Sequence, residues 1–108
     1  MIYLITRHPG AVEWLEKELA KHPELTTGHL DICRLTHLGS DVMLHAGDVV
    51  VGILPVNKVA ELQHKKVRYF HLAIDLPEKL RGKELGAEEL DQLGATLSEY
   101  LVIPAATG

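Results

Sequence analysis

The chain has 108 residues, of which 46% are apolar and 24% charged. That length suits one independently folding unit and leaves no room for a second, and the composition excludes a disordered chain. The net charge of −4 with neutral histidines argues against a protein that coats long nucleic acid, which needs a basic face. A few local donors still suffice for a small phosphate ligand.

Ile2 to Thr6 is short, apolar and β-branched, and reads as a strand broken by Pro9-Gly10. From Ala11 to about His22, Ala11, Leu15 and Leu19 recur at spacing four with Val12 beside them, while Glu13, Glu16, Lys17 and Lys21 take other faces. This is an amphipathic helix, stopped by Pro23. Residues 24–29 are polar and read as a turn. Leu30 to Leu35 alternates with period two and predicts a strand, with Cys33 half-buried in it. Thr36 to Asp48 holds two turn signals, Gly39-Ser40-Asp41 and Gly47-Asp48. Val42-Met43-Leu44 between them is open to strand, helical turn or loop.

Asp48 to Leu54 is continuously apolar apart from its first residue, the pattern of a strand covered on both faces in a parallel sheet. Pro55 ends it, and Val56 to about Lys66 predicts a helix. Val67 to Leu76 predicts a fourth strand, ended by Pro77, and residues 78–86 an ordered loop. Leu90, Leu93, Leu97 and Leu101 predict a last helix from Ala87 to about Val102, with Gly94 at a close-packing position. The domain is expected at residues 1–103, with 104–108 a disordered tail.

No apolar run approaches the roughly 20 residues of a membrane span, and Met1 to Arg7 lacks the marks of a signal peptide. No membrane contact and a cytoplasmic location are therefore expected. Cys33 is the only cysteine, which excludes an internal disulfide and a paired-cysteine metal knuckle. P-loop, dinucleotide-fold and nucleophile-elbow motifs are missing, so the corresponding chemistries lose their signatures.

Strands alternating with helices predict an α/β fold: a single Rossmann-like domain with a mainly parallel sheet of about four strands flanked by helices. Ligands in such sheets bind beyond the C-terminal strand ends, where strand order switches. Three segments qualify: Thr6-Arg7-His8-Pro9-Gly10, Pro55-Val56-Asn57-Lys58, and Asp75-Leu76-Pro77 with the loop to Arg81-Gly82. In the first, Gly10 lets backbone approach a ligand, the following helix offers N–H groups at its positive end, Arg7 supplies a phosphate fork and His8 a proton carrier. Arg7 reads equally as a solvated strand-end charge, and His8-Pro9-Gly10 as a plain turn. Asn57 reads first as a helix cap, and Lys58 as an exposed lysine or a phosphate contact. None of the seven histidines falls in a known metal spacing, so no metal and no cofactor is expected. His71, inside the fourth strand, faces either the core or the active edge and reads first as a structural histidine.

The segments Thr6 to Trp14, Gly47 to Asn57, His71 to Pro77 and Arg81-Gly82-Lys83-Glu84-Leu85, taken in this order, resemble the small CRISPR-associated Csx family, number sixteen. The resemblance runs from residue 2 to about residue 97, and residues 23–46 carry no matching motif. It implies a CARF-like fold and a role in type III CRISPR defence as a ring nuclease. Such a protein binds a cyclic oligoadenylate, usually cyclic tetra-adenylate, and cleaves it by metal-independent attack of a ribose 2′-hydroxyl, ending the signal. It also implies a homodimer, since a symmetric ring suits a twofold axis. On this reading Arg7 and Lys58 hold phosphate and His8 is the general acid or base. Asn57 orients ribose or adenine, Thr6, Gly10 and Pro55 line the site, and Arg81 and Lys83 close over the ring. The alternatives are a binding module that sequesters or senses the ring uncut, and a subunit that docks a larger partner.

Overall fold

The computed structural model describes residues 1–26, 31–39, 41–75 and 85–105. The elements are β1 (Ile2–Ile5), α1 (Pro9–Ala20), α2 (Pro23–Thr26), β2 (Ile32–Leu35), β3 (Val49–Gly52), α3 (Val56–His64), β4 (Arg68–Ala73), α4 (Ala87–Gln92) and β5 (Thr96–Glu99). They form one sheet in the order β2-β1-β3-β4-β5. All pairings are parallel except β4 with β5. The expected α/β, Rossmann-like architecture is present.

All four positions of β1 and all four of β3 are buried. Their unbroken apolar sequences require cover on both faces, and the fold supplies it by the period of two along each strand. Ile2, Leu4, Val49 and Val51 face Trp14 and Leu15 of α1 and Leu90 of α4. Tyr3, Ile5 and Val50 face the opposite way, onto Val59 and Leu62 of α3. The connection from β2 to β3 is irregular, and its Leu38, Val42 and Leu44 close over this second face. The segment left open between strand, turn and loop is therefore a loop, with Met43 pointing outward at 76% exposure.

α1 begins at Pro9, two residues earlier than predicted, because proline is well placed in a first helical turn where no N–H is required. A Cβ on Gly10 would lie 1.8 Å from the Leu85 carbonyl oxygen, so only glycine lets this turn approach the 85–86 backbone. Trp14 Nε1 donates to Asp91 Oδ1 at 3.4 Å, tying α1 to α4. Residues 23–26, expected as the helix stop and the start of a turn, form the short α2.

The predicted last helix is corrected. α4 stops at Gln92, and Gly94 takes a left-handed φ of 76° that favours glycine. The chain then reverses into β5, a fifth strand rather than the expected four. Its register sets Leu97 opposite Leu72, and Leu97 packs on the first core face. Leu101, read as part of the helical stripe, is 74% exposed. The leucine spacing of three and four is real, but it spans a helix, a turn and a strand. Of the expected tail, residues 104 and 105 are described and lie outside any helix or strand; 106–108 lie outside the described residues.

Arg68 locks this edge, donating from Nε to Glu99 Oε2 at 2.8 Å and from a second guanidinium nitrogen to Oε1 at 2.9 Å. The hydrogen bond from Arg68 holds the Glu99 carboxyl below the usual carboxylate range. A lowered carboxyl adds stability above its ordinary pKa and loses it as pH falls through the lowered one. Both partners are partly exposed, so Glu99→Gln should cost only about 0.2–1 kcal/mol near neutral pH. The difference should vanish in acid, as read by urea unfolding at both pH values. Gly10→Ala should cost about 1–3 kcal/mol at all pH values, since its new methyl meets backbone.

Candidate functional site at the strand-order switch

β1 leads through α1 to β2 on one side, and β3 leads through α3 to β4 on the other. The switch in strand order therefore lies between β1 and β3, whose last residues, Ile5 and Gly52, are register partners. The two exits open onto two adjoining cavities of about 420 and 410 Å³. Thr6, His8, Ile53 and Leu72 line both. The larger continues between apolar walls that include Ala11, Ile74, Leu85 and Leu90, and reaches His71. The smaller is more polar, with Arg7, Thr36 and His37 around it and Pro55 at its rim.

Thr6 extends the β1–β2 ladder, donating its backbone N–H to the Leu35 carbonyl at 2.9 Å. Its hydroxyl accepts the His8 N–H at 3.2 Å, which fixes the turn out of β1. His8 has extended backbone and caps α1 through its carbonyl, which accepts from Ala11 N–H at 3.0 Å and Val12 N–H at 3.2 Å. The positive end of the α1 dipole is thus delivered to the cavity edge. Among the described residues, neither Arg7 nor His8 has a side-chain hydrogen bond or ion pair, and both are exposed. An unpaired guanidinium beside a helix N-terminus is suited to an anion.

The fold brings Thr6, Arg7, His8 and Pro55 together around the smaller cavity. Gly10 lies beside it, in a neighbouring groove with Glu13 and Gly86. Asn57 and Lys58 fall elsewhere. Lys58 Nζ lies 3.6 Å from Glu61, and Lys58 lines a separate groove with Leu38, Val42 and Leu44. Asn57 is exposed, and the cap position of α3 belongs to Pro55, so the capping expected of Asn57 is absent. Arg81 and Lys83, with the rest of residues 76–84, lie outside the described residues. Among the described residues, no group of three His, Cys, Asp or Glu side chains is placed to hold a metal ion, and no helix is long and apolar enough to cross a membrane.

Sequence reasoning missed Thr36 and His37. They follow β2 as the other candidates follow β1 and β3, so the same strand-end rule selects them. It also missed the Tyr69–His71 pair, two residues apart and so on one face of β4. Tyr69 is 1% exposed. Its hydroxyl accepts the Leu54 N–H at 2.9 Å, bonds the Gly52 carbonyl oxygen at 3.0 Å and lies 2.7 Å from His71 Nδ1. Burial pushes the Tyr69 hydroxyl above its ordinary pKa, so it remains a phenol at neutral pH. It braces the exit from β3 that forms the shared cavity wall.

Residues 3–103 match the family model described as "Putative CRISPR-associated protein (Cas_VVA1548)". The chain belongs to this CRISPR-associated family. The match takes in the sheet from Tyr3 of β1 through β5 and both sides of the strand-order switch. No curated protein and no solved structure matches the chain.

Tyr69→Phe keeps the buried ring and removes the hydroxyl, leaving the Leu54 N–H and Gly52 carbonyl short of a partner. It should lower stability by about 1–3 kcal/mol, measured as a shift in the denaturant midpoint. Lys58→Ala, which loses only an exposed pair, should stay within about 0.5 kcal/mol of the unaltered protein.

Proposed function

We propose that this CRISPR-associated protein is a ring nuclease of the kind its motifs resemble: it binds a cyclic oligoadenylate, most suitably cyclic tetra-adenylate, and cuts it to linear adenylates. The observation that carries the reading is the pair of adjoining cavities at the switch point, with His8 lining both and Arg7 lining the smaller, neither side chain partnered among the described residues. An apolar cavity suits a purine face, and a polar one with a free guanidinium suits the adjoining phosphate. The chain's charge of −4 is compatible with this, since the donors are local.

Cleavage needs a 2′-hydroxyl held in line with the neighbouring phosphorus, and positioning of that kind is worth about 7–11 kcal/mol. The hydroxyl oxygen bonds to phosphorus, the bond from phosphorus to the 5′-oxygen breaks, and a 2′,3′-cyclic phosphate is left. Arg7 and the α1 N-terminus offset charge building on the phosphoryl oxygens. His8 exchanges protons with the reacting oxygens. Residues of this chain suffice for the step, so no cofactor is invoked. A homodimer would set two such sites against one symmetric ring. Ile53, at the cavity mouth and 60% exposed, and Val56, 71% exposed, supply apolar surface for it. The setting is the cytoplasm, where such a messenger is made.

Incubation with cyclic tetra-adenylate in excess chelator should yield linear adenylates ending in 2′,3′-cyclic phosphate. Recovery of the intact ring after tight binding would make the protein a sequestering module, and absence of binding would overturn the reading. Arg7→Ala should weaken binding and leave stability within about 0.5 kcal/mol. His8→Ala should reduce kcat by about 10²–10⁴-fold with KM little changed. Sedimentation should give twice the chain mass.

A further inference from the structure

The Tyr69 hydroxyl has one proton and two lone pairs, and it meets three neighbours. Leu54 N–H can only donate to it, and the Gly52 carbonyl can only accept from it. Its one proton is therefore used on Gly52. The third neighbour, His71 Nδ1 at 2.7 Å, must then be the donor, with Nδ1 protonated. The reverse arrangement, with the phenol donating to Nδ1, would set two bare oxygens 3.0 Å apart in the interior, which costs a buried hydrogen bond.

This assignment has a chemical consequence. A neutral imidazole protonated on Nδ1 carries its lone pair on Nε2. His71 Nε2 has no partner among the described residues. Among the described residues no buried side-chain nitrogen or oxygen lacks a partner, so Nε2 is not buried. The ring is held edge-on against Tyr100, with centroids 5.6 Å apart and planes at 74°, and His71 lines the larger cavity together with His8. A histidine held on both sides thus presents an open acceptor nitrogen beside the cavity.

We infer that His71 is the proton acceptor of this site, and that Tyr69 is a positioning residue that holds it in the Nδ1–H tautomer. The inference rests on the proposed cleavage of a cyclic oligoadenylate and assigns its two proton transfers. The 2′-hydroxyl gives its proton to His71 Nε2 as its oxygen bonds to phosphorus. The 5′-oxygen leaves with the electron pair of the broken bond and takes a proton from His8. Two histidines, one accepting at the attacking oxygen and one donating at the leaving oxygen, divide the roles that a single one would have to perform in turn.

The test begins with the intact protein, ¹⁵N-labelled at histidine. Long-range ¹H–¹⁵N spectra should show His71 protonated at Nδ1 and bare at Nε2, the opposite of the tautomer free imidazole side chains prefer in water. Tyr69→Phe should return His71 to the ordinary tautomer. With cyclic tetra-adenylate in chelator, His71→Gln should lower kcat by about 10²–10⁴-fold with KM nearly unchanged, and Tyr69→Phe should lower kcat by less. His71 protonated at Nε2 in the unaltered protein, or full kcat in His71→Gln, overturns the assignment while leaving ring cleavage intact. Absence of cleavage by the unaltered protein overturns the ring-nuclease reading and this one with it. If Tyr69→Phe fails to fold, the tautomer of the unaltered protein and the kinetics of His71→Gln still decide.

Discussion

The parallel pairing of β1 with β3 is the constraint on which the rest depends. Both strands are buried at every position, so neither can slip by one residue without turning its whole set of side chains to the wrong layer. Their register ends Ile5 beside Gly52. The chain leaves the two strands at one level, toward opposite faces of the sheet, and a cleft between the departing segments is unavoidable. Thr6, Arg7 and His8 stand on one wall of it and Ile53 to Pro55 on the other.

Hydrogen bonding then makes the cleft walls rigid. Thr6 holds the first exit through its own hydroxyl and backbone. Tyr69 holds the second from beneath, through Gly52 and Leu54. Arg7, by contrast, is left unpaired among the described residues, although the chain carries 15 carboxylates and only 11 lysines and arginines. Other cations are engaged elsewhere: Arg34 with Glu16, Arg68 with Glu99 and Lys58 with Glu61. An acidic protein can therefore present a local anion site, because the field at a cleft depends on its nearest charges and dipoles more than on the total.

The outer side of the sheet is built differently. β5 is antiparallel, and Arg68 and Glu99 clamp it across the edge. Beyond it, Gln63 acts like a short piece of strand, donating to the Tyr100 carbonyl at 3.4 Å and accepting the Val102 N–H at 3.2 Å. That clamp leads Tyr100 back over His71. The final segment of the fold thus supports the site from the side opposite the switch point.

Much of this was legible locally. The unbroken run in β3 signalled a central strand, the spacing of Ala11, Leu15 and Leu19 signalled α1, and the strand-end rule placed Thr6, Arg7 and His8 in a cleft. These signals survive because burial on both faces, helical period and strand-end geometry are properties of short segments. What stayed hidden depends on partners distant in sequence. Leu97 and Leu101 continue a helical spacing from Leu90, and only the free edge of β4, together with the turn at Gly94, converts them to strand and exit. Lys58 follows a strand end as Arg7 does, yet the first turn of α3 carries it away from the cleft toward Glu61. His71 looks like any histidine in a strand until the fold sets Gly52, Leu54 and Tyr69 around one hydroxyl. The sequence by itself determined the layers of the sheet and the switch-point loop. Only the tertiary structure decided which side chains share the cleft and which groups meet at the Tyr69 hydroxyl, because both follow from contacts between strands that no local pattern encodes.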